Sequence, residues 1–200
     1  MPLVTNILFI VFFYLIGSIP FALILTKLLG HGDIRDIGSG NVGATNVLRT
    51  GNKYLAFAVL FLDILKGLLP FIIVNYFFDT NILHSALLCH FAILGHIFPF
   101  WLKFKGGKGV ATYIGFLIGL NFLIGLCFLV TWISIALISR YSSLSSLGAS
   151  LVAPLYFFFI NSNNFVGIFL LYLFLIISLK HRENIKRLIS GTENKIKLSK

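Results

Sequence analysis

Charged residues are scarce in this chain. Asp, Glu, Lys and Arg together make up 11% of its 200 residues, and only six of them are acidic. Because a soluble domain carries about 25% charged residues, this chain has too little polar surface for a soluble enzyme. The formal net charge of +10 follows from the shortage of acids, and the basic residues lie between long apolar runs. That distribution excludes a nucleic-acid-binding protein and a disordered chain.

Cysteine is scarce as well. Cys89 and Cys127 each lie inside an apolar run, without the spacing of metal ligands. We interpret them as free thiols and not as a disulfide framework or a zinc site. The first apolar run has no basic residue before it and no small-residue cleavage site after it. We therefore interpret it as a membrane span and not as a cleaved signal peptide.

Apolar residues dominate instead, at 58% of the chain with 22 Phe and a mean hydropathy of +0.97. They form seven runs, at residues 3–26, 54–78, 82–102, 109–120, 122–139, 144–160 and 165–179. A spanning helix needs about 17–25 residues, so the fourth run is short, and we expect a break near residues 119–125. No internal repeat or linker is visible. The sequence therefore predicts one polytopic membrane domain over residues 1–200.

The positions of Lys and Arg indicate how these runs cross the membrane. All sixteen basic residues except Lys66 fall in four clusters, at residues 27–53, 103–108, 140 and 180–200. The turns at residues 79–81, 121 and 161–164 contain neither Lys nor Arg. Since loops rich in Lys and Arg stay in the cytoplasm, the pattern predicts an all-α integral membrane protein. The predicted protein has seven transmembrane helices, with the N-terminus outside and the C-terminus cytoplasmic. Six crossings would leave Arg140 or the basic tail outside.

A few ionisable residues lie inside the apolar runs. Asp63 and Lys66 are three residues apart, so they share a helix face and we expect them to pair, as charges within a membrane must. His84, His90 and His96 recur every six residues, which scatters them around a helix. We interpret them as buried, hydrogen-bonded histidines and not as metal ligands.

The first basic cluster contains a segment with six glycines and three asparagines, residues 30–53. Its sequence predicts a turn leading to a short helix that begins near Ser39 and ends at Gly51. Asn41, Thr45 and Arg49 recur every four residues and would form one polar stripe. Arg49 suits bidentate phosphate binding, and a helix start attracts anions. A connector whose Arg49 contacts lipid headgroups fits the same pattern.

The second basic cluster also carries a glycine motif. Gly106, Gly107 and Gly109 surround Lys108, so the backbone can approach an anion closely while the ammonium supplies positive charge. The motif is like a P-loop only in this respect, because Gly109 stands where Ser or Thr would be and no strand precedes it. Nucleotide hydrolysis is therefore excluded. A flexible loop with cytoplasmic lysines is the alternative interpretation.

The third polar segment continues the last apolar run. His181 and Asn184 are three residues apart and share a helix face, Glu183 is placed to pair with Arg187, and Gly191 is expected to end the helix. The alternative is a basic amphipathic stretch that lies on anionic lipid.

Taken in order, these motifs are similar to those of a known family. They comprise residues 38–46 with Arg49, then residues 106–109, then His181 and Asn184 leading to Glu193. From residue 17 to Glu193 the chain resembles the bacterial acylphosphate:glycerol-3-phosphate acyltransferases. The resemblance implies a multi-pass protein of the bacterial inner membrane, with a cytoplasmic active face.

The resemblance also implies the reaction. A fatty acyl group would pass from acyl phosphate to the 1-hydroxyl of glycerol 3-phosphate, giving lysophosphatidic acid and phosphate. No metal or cofactor is implied, the protein would work as a monomer, and its partners would be the two substrates and the lipid bilayer. Because the donor would be acyl phosphate, the resemblance also implies a functional link to the enzyme that makes acyl phosphate from acyl carrier protein.

Roles for individual residues follow from the same resemblance. The catalytic candidates are Ser39, Asn41, Lys108, His181 and Asn184. The substrate- and phosphate-binding candidates are Thr45, Arg49, Gly106, Gly107, Gly109, Ser143 and Glu193. The general base stays open between His181 and the departing donor phosphate, with the His31–Asp36 spacing as a further alternative base.

A transporter of a phosphorylated small molecule is the competing interpretation of the whole chain. Glycine-interrupted spans with basic mouths also suit transporters. A transporter, however, needs polar residues in both halves of the membrane. The predicted outward turns are short and carry no basic residue, which favours an enzyme supplied from one side.

Overall fold

The computed structural model describes residues 1–196, and all regular structure in that range is helical. Lys197 and Lys200, two lysines of the predicted basic tail, lie outside the described residues. The α-helices are α1 Leu3–Gly17, α2 Phe21–Leu28, α3 Ala44–Val47, α4 Lys53–Phe77, α5 Ile82–Cys89, α6 Phe91–Ile97, α7 Val110–Leu120, α8 Phe122–Ser139, α9 Ser142–Phe159, α10 Asn164–Lys180 and α11 Arg182–Ile189. Short 3-10 helices lie at Ile34–Asp36, Leu48–Thr50 and Phe100–Leu102. The chain divides into two compact units, Met1–Leu120 and Asn121–Lys200.

An asparagine caps the N-terminus of four of the helices. In each case the Asn side chain accepts a hydrogen bond from the backbone N–H three residues later, over 2.8 to 3.3 Å. This satisfies one of the four N–H groups that a helix leaves without a partner at its start. The capping residues are Asn52 for α4, Asn81 for α5, Asn121 for α8 and Asn163 for α10.

Several helices are long and apolar enough to cross a membrane. The described residues contain five such spans, Leu3–Leu28, Lys53–Phe77, Ile82–Leu102, Phe122–Ser139 and Ser142–Phe159. A sixth is formed if α10 and α11, which meet at a bend of 67°, count as one. Large apolar side chains are exposed along these helices, including Phe57, Phe61, Phe122 and Phe165. Exposed apolar surface on this scale identifies an all-helical integral membrane protein.

Two predicted spans are interrupted. The first is divided between α1 and α2 at Ser18, Ile19 and Pro20, and the third is divided between α5 and α6 at His90. The predicted break after the short fourth run is confirmed, because α7 ends at Leu120 and α8 follows Asn121. With 11 residues, α7 is about 16 Å long against a hydrocarbon core of about 30 Å. Seven crossings therefore stay a prediction.

Reciprocal glycine contacts hold the helices of the first unit together. A β-carbon on Gly67 of α4 would overlap the carbonyl oxygen of Thr112 of α7, and one on Gly115 of α7 would overlap that of Ile64. The pair α1 and α6 repeats this arrangement, with Gly17 against Ala92 and Gly95 against Tyr14. Small residues let helix backbones approach closely in a membrane, where apolar side chains gain little by leaving lipid. This packing accounts for the burial of most of α7.

Serine hydroxyls occupy the buried face of α9 in the second unit. The hydroxyls of Ser145, Ser146 and Ser150 each donate to the carbonyl four residues earlier, over 2.6 to 2.8 Å. The indole N–H of Trp132 on α8 donates to Oγ of Ser146, over 3.1 Å. These bonds satisfy the buried hydroxyls without partners from water, as a membrane interior requires.

Candidate active site

The first candidate segment folds as a glycine turn followed by a short helix. The predicted helix start near Ser39 is wrong, because α3 begins at Ala44. Gly38 and Gly40 have φ angles of 58° and 69°. Glycine adopts this left-handed backbone readily, and it interrupts a helix at the place where the sequence predicts one to begin.

The polar stripe predicted on this helix is also wrong. Asn41 lies before α3 and is half-buried, whereas Thr45 lies within α3 and is exposed. Arg49 lies in the following 3-10 turn. The predicted end at Gly51 is confirmed, since its φ of 86° makes it a left-handed cap.

Asn46 organises this turn, a role that the sequence analysis missed. Its side-chain N–H groups donate to the carbonyls of Ile34 and Ile37 over 3.0 and 2.9 Å. Its Oδ1 accepts from the backbone N–H of Ser39 over 3.1 Å and from the Ser39 hydroxyl over 3.4 Å. Asn46 is 2% exposed, so an unpaired polar atom here would be costly. One buried amide therefore fixes the backbone on both sides of the Ser39 turn.

Arg49 lies over the glycine turn that precedes Ser39. A β-carbon on Gly38 would come within 2.6 Å of Cδ and 2.7 Å of Nη1 of Arg49. Gly38 therefore has two reasons to be glycine, its left-handed φ and this close contact. The arrangement places an exposed guanidinium beside the Ser39 residue. A planar guanidinium in such a position can bind phosphate through two hydrogen bonds.

The second candidate segment, residues 105–109, is called the glycine loop here. The backbone N–H of Gly106 donates to the carbonyl of Ile97 over 3.2 Å, and that of Gly107 donates to the carbonyl of His96 over 3.1 Å. Both N–H groups are therefore used within the fold, at the end of α6, and phosphate binding by these glycines stays a prediction. A β-carbon on either glycine would overlap His96. The glycines allow the loop to pack tightly against α6.

Lys108 and Gly109 complete the glycine loop. Gly109 has a φ of 84°, and a β-carbon there would come within 2.8 Å of Cδ1 of Ile97. The next residue begins α7, and the carbonyl of Gly109 accepts the N–H of Tyr113 over 2.8 Å. The half-buried Lys108 is thus held between the packed glycines and the start of a helix, whereas Lys105, the other lysine of the loop, is exposed.

A small cavity lies between the first two candidate segments, within the first unit. Val42 from the first segment and Gly106 from the glycine loop both line it. Asp63, Lys66 and His96 line the same space. The first unit therefore brings the first two candidate segments together.

A buried charged cluster lies at this cavity. The predicted pair of Asp63 and Lys66 is confirmed, with Nζ 2.7 Å from Oδ1 and both side chains at most 3% exposed. His96 Nδ1 lies 3.6 Å from the same carboxylate oxygen. The sequence predicted the ion pair but not its position at the site. The available signal was the presence of ionisable residues within apolar spans.

The other two intramembrane histidines differ from His96. Nδ1 of the buried His90 donates to the carbonyl of Leu87 over 2.7 Å, as predicted. His84 is only half-buried, and its Nε2 makes no hydrogen bond within residues 1–196, so the prediction is wrong there. No group of three His, Cys, Asp or Glu residues in the described part of the chain lies close enough to hold a metal ion.

The third candidate segment surrounds Glu193 in the second unit. Oε1 of Glu193 accepts from the hydroxyl of Ser143 over 2.8 Å and from the side-chain amide of Asn184 over 2.6 Å. Oε2 accepts from Nε of Arg187 over 2.7 Å. The four residues, called the Glu193 cluster here, include three that the sequence predicted and one, Arg187, that it assigned to another partner.

The predicted pair of Glu183 and Arg187 is wrong. Glu183 instead lies 3.5 Å from Arg182 and 3.4 Å from Lys186, with its side chain 59% exposed. Arg187 pairs with Glu193, whose side chain is only 8% exposed. A charge-assisted hydrogen bond is worth more to a buried carboxylate than to a solvated one, which explains the choice of partner.

The surroundings of Glu193 also favour its charged form. Burial alone would raise the pKa of this carboxyl. The hydrogen bonds from Asn184, Ser143 and Arg187, together with the charge of Arg187, outweigh burial and hold the pKa of Glu193 below its ordinary value. Glu193 is therefore an anion at neutral pH and accepts from all three partners.

His181 lies at the bend between α10 and α11. It is 2% exposed, and its Nδ1 donates to the carbonyl of Ile177 over 2.8 Å. In the neutral ring, Nε2 is then the nitrogen that can accept a proton. Asn184 follows in the first turn of α11, also buried, and Gly191 with a φ of 71° ends this segment as predicted.

Comparison with known proteins identifies the family. A family model described as glycerol-3-phosphate acyltransferase matches residues 7–191. A glycerol-3-phosphate acyltransferase of Pelagibacter ubique (strain HTCC1062) is 52% identical over 185 residues, which are 92% of this chain and 94% of that protein. This chain belongs to the glycerol-3-phosphate acyltransferase family. Another relative of the same name, from Mesorhizobium japonicum, is 51% identical over 190 residues, 95% of each chain.

Two solved structures of this acyltransferase family share the fold. The crystal structure of the integral membrane glycerol 3-phosphate acyltransferase PlsY in its glycerol 3-phosphate form is 37% identical, covers 96% of both chains and has a TM-score of 0.89. The lysophosphatidic acid form is 36% identical, with the same coverage and a TM-score of 0.86. The family predicted from the three motifs is confirmed.

Proposed function

We propose that this chain transfers a fatty acyl group from acyl phosphate to the 1-hydroxyl of sn-glycerol 3-phosphate. The products are lysophosphatidic acid and inorganic phosphate. The observation that carries the proposal is the match along 96% of the chain to a membrane acyltransferase with a glycerol 3-phosphate form and a lysophosphatidic acid form. Acceptor and product of the proposed reaction are thus both ligands of this fold.

Acyl phosphate is the proposed donor on chemical grounds. It is a mixed anhydride and is already activated, so the acceptor hydroxyl can attack the acyl carbon directly. A new carbon–oxygen bond forms to glycerol 3-phosphate, the bond from the acyl carbon to the phosphate oxygen breaks, and the hydroxyl proton passes to a base. No covalent enzyme intermediate is required. The two cysteines lie on apolar helices, which agrees with a reaction that uses no thiol.

The first unit supplies the cations in this proposal. Arg49 and Lys108 neutralise substrate phosphate, and the Ser39 hydroxyl, Asn41 and Thr45 donate hydrogen bonds nearby. The position of Arg49 over the Gly38 turn and of Lys108 on the tightly packed glycine loop supports this assignment. Gly106, Gly107 and Gly109 act by letting that loop pack, since two of their N–H groups bind α6.

The second unit supplies the groups that act on the acceptor. His181 orients glycerol 3-phosphate, and Asn184 contributes a polar side chain whose amide is held by Glu193. Ser143 acts with Glu193 by fixing the carboxylate that holds Asn184. The proton of the acceptor hydroxyl passes to the departing phosphate of the donor.

We further propose seven crossings of the bacterial inner membrane, with the N-terminus outside and the active face cytoplasmic. The four basic clusters all lie on one side only in this arrangement. Because α7 is short, its crossing requires that the neighbouring turns enter the membrane, as glycine-rich segments packed within protein can. We keep residues 1–200 as one functional domain, active as a monomer without metal or cofactor.

The competing transporter interpretation has lost its support. The relatives of this chain are named as glycerol-3-phosphate acyltransferases, and no contact among the described residues favours transport over acyl transfer. An enzyme that forms acyl phosphate from acyl carrier protein must then supply the donor.

A defined reaction tests the proposal. Purified protein receives palmitoyl phosphate and glycerol 3-phosphate, without coenzyme A, carrier protein or divalent metal, and mass spectrometry follows lysophosphatidic acid and phosphate. We expect equal amounts of the two products. Product formed from palmitoyl-coenzyme A but not from palmitoyl phosphate would contradict the donor, and absence of product from either donor would contradict the activity.

A further inference from the structure

The buried cluster of Asp63, Lys66 and His96 joins three parts of the first unit. Lys66 Nζ and His96 Nδ1 lie 2.7 and 3.6 Å from Oδ1 of Asp63. Nζ of Lys66 also donates to the carbonyl of Ile19 over 2.8 Å. The cluster therefore connects α4 and α6 with the break between α1 and α2.

Stability alone does not explain such a cluster. Charges in a membrane span are costly and mark functional positions by default. Replacing a buried ion pair by apolar residues of similar size is often neutral or stabilising. Three apolar side chains would fill this space without burying charge, so the cluster is a candidate for a functional role.

His96 links the cluster to the glycine loop. While its Nδ1 faces Asp63, its Nε2 lies against Gly107, where a β-carbon would overlap it. Its carbonyl and that of Ile97 accept the N–H groups of Gly107 and Gly106. Rotation of the ring away from Asp63 would therefore disturb the surface on which the loop lies.

The cavity supports the same connection. Asp63, Lys66 and His96 line it together with Gly106. The charged cluster thus borders the glycine loop directly.

We propose that Asp63, Lys66 and His96 are positioning residues that hold the glycine loop, and with it the ammonium of Lys108, in the geometry that binds substrate phosphate. The inference rests on the proposed function, because that function gives Lys108 its role. Asp63 fixes the ring of His96, Lys66 balances the charge of Asp63, and His96 supports the loop.

Hydrogen exchange on the full-length protein without substrate tests this directly. His96→Leu removes both nitrogens and adds no bulk against Gly107. We expect the amide hydrogens of residues 106 and 107 to exchange at least about ten times faster than in wild type. The KM of at least one phosphate-bearing substrate should rise about tenfold while kcat falls less than about threefold. His84→Gln, a histidine change on α5 in the same span, should leave both measurements unchanged.

A second variant covers the case in which His96→Leu does not fold. Asp63→Leu/Lys66→Met removes both charges together and leaves no buried charge unpaired, and it should show the same faster exchange and raised KM. Wild-type exchange at residues 106 and 107 in a folded variant would overturn the proposal. Wild-type protein that is inactive with palmitoyl phosphate would instead contradict the proposed function, while the exchange comparison would still decide the positioning role.

Discussion

The side-chain amide of Asn184 donates a hydrogen bond of 2.6 Å to Oε1 of Glu193, and the same oxygen accepts from Ser143. Asn184 and Glu193 of the third motif thus act as one unit with Ser143 of α9, which lies 50 positions before Glu193. Asn184 is oriented by a carboxylate, and the carboxylate is oriented by α9. A substitution at Glu193 therefore also changes how the side chain of Asn184 is held.

The first prediction concerns the charge of Glu193. Its lowered pKa means that the charged form stabilises the fold above the unfolded carboxyl pKa of about 4.3, and that this contribution is lost as the pH falls through the lowered native value. Glu193→Gln should lower the thermal midpoint of unfolding at pH 7. The difference from wild type should be constant from about pH 6 to 8 and should shrink below about pH 4.5.

Glu183→Gln is the matched control for this change. Its carboxylate lies on α11 of the same unit but is largely exposed, with two partners no closer than 3.4 Å. Exposed ion pairs contribute little, so the midpoint should not move. Equal effects of the two substitutions at pH 7 would show that Glu193 gains nothing from the contacts described above.

The second prediction concerns Asn46. Asn46→Asp keeps the size of the side chain but replaces two N–H donors by a carboxylate oxygen facing the carbonyls of Ile34 and Ile37. Leaving buried polar groups unpaired costs about 1–3 kcal/mol, and more for charged groups. We expect a marked fall in the unfolding midpoint and loss of activity. Asn52→Asp is the control, since Asn52 only accepts at the start of α4 and Asp caps a helix equally well.

Local pattern predicted most of the helices and the contact between Asp63 and Lys66. Apolar runs and asparagine turns are properties of neighbouring residues, and so is a pair three positions apart on one helix. The bonds from Asn46 to Ile34 and Ile37 are different, because nothing in the residue types specifies which carbonyls a buried amide will find.

The places where the structure departs from the sequence prediction share this cause, because residue types alone do not specify tertiary contacts. Gly38 and Gly40 suited a helix start by composition, but their left-handed backbone delays the helix to Ala44. The glycine loop suited an anion cradle by composition, yet two of its N–H groups bind the end of α6. In both places glycine serves a turn or a close tertiary contact, and its freedom from steric restriction is compatible with several uses.

The third prediction tests the phosphate-binding cations. Lys108→Ala and Arg49→Ala should each lower activity by at least about a hundredfold, the usual effect of losing one preorganised donor, with unchanged thermal stability. Lys108→Arg should not restore full activity, because a planar guanidinium does not replace a compact ammonium in a tightly packed loop. Lys105→Ala, an exposed lysine in the same loop, should retain wild-type kinetics. Near-normal rates in both alanine variants would remove the assignment.

The fourth prediction concerns the crossing of α7. A reporter of compartment inserted at Asn121, between α7 and α8, should be outside, and one fused after the last residue of the chain should be cytoplasmic. We expect opposite sides because the turn at Asn121 carries no Lys or Arg, whereas the C-terminal segment is rich in both. A cytoplasmic reporter at both positions would mean that α7 enters and leaves the membrane on the same side.

The last prediction concerns the proton of the acceptor hydroxyl. If His181 were the base, the plot of rate against pH would contain a limb, a region in which the rate changes with pH, near the ordinary imidazole pKa of about 6.5. His181→Ala would then abolish that limb and lower kcat by about 10²- to 10⁴-fold. The Nε2 of the neutral ring is chemically able to accept, because Nδ1 donates to the carbonyl of Ile177.

We expect the donor phosphate to take the proton instead. His181 lies within residues 180–200, which carry seven Lys and Arg residues, and this positive surrounding suits a residue that orients an anionic acceptor. Glu183 and Glu193 offset only part of that charge. His181→Ala should therefore chiefly raise the KM for glycerol 3-phosphate, and the limb of the pH profile should survive because it belongs to the substrate. A lost limb together with a large fall in kcat at saturating acceptor would establish His181 as the base.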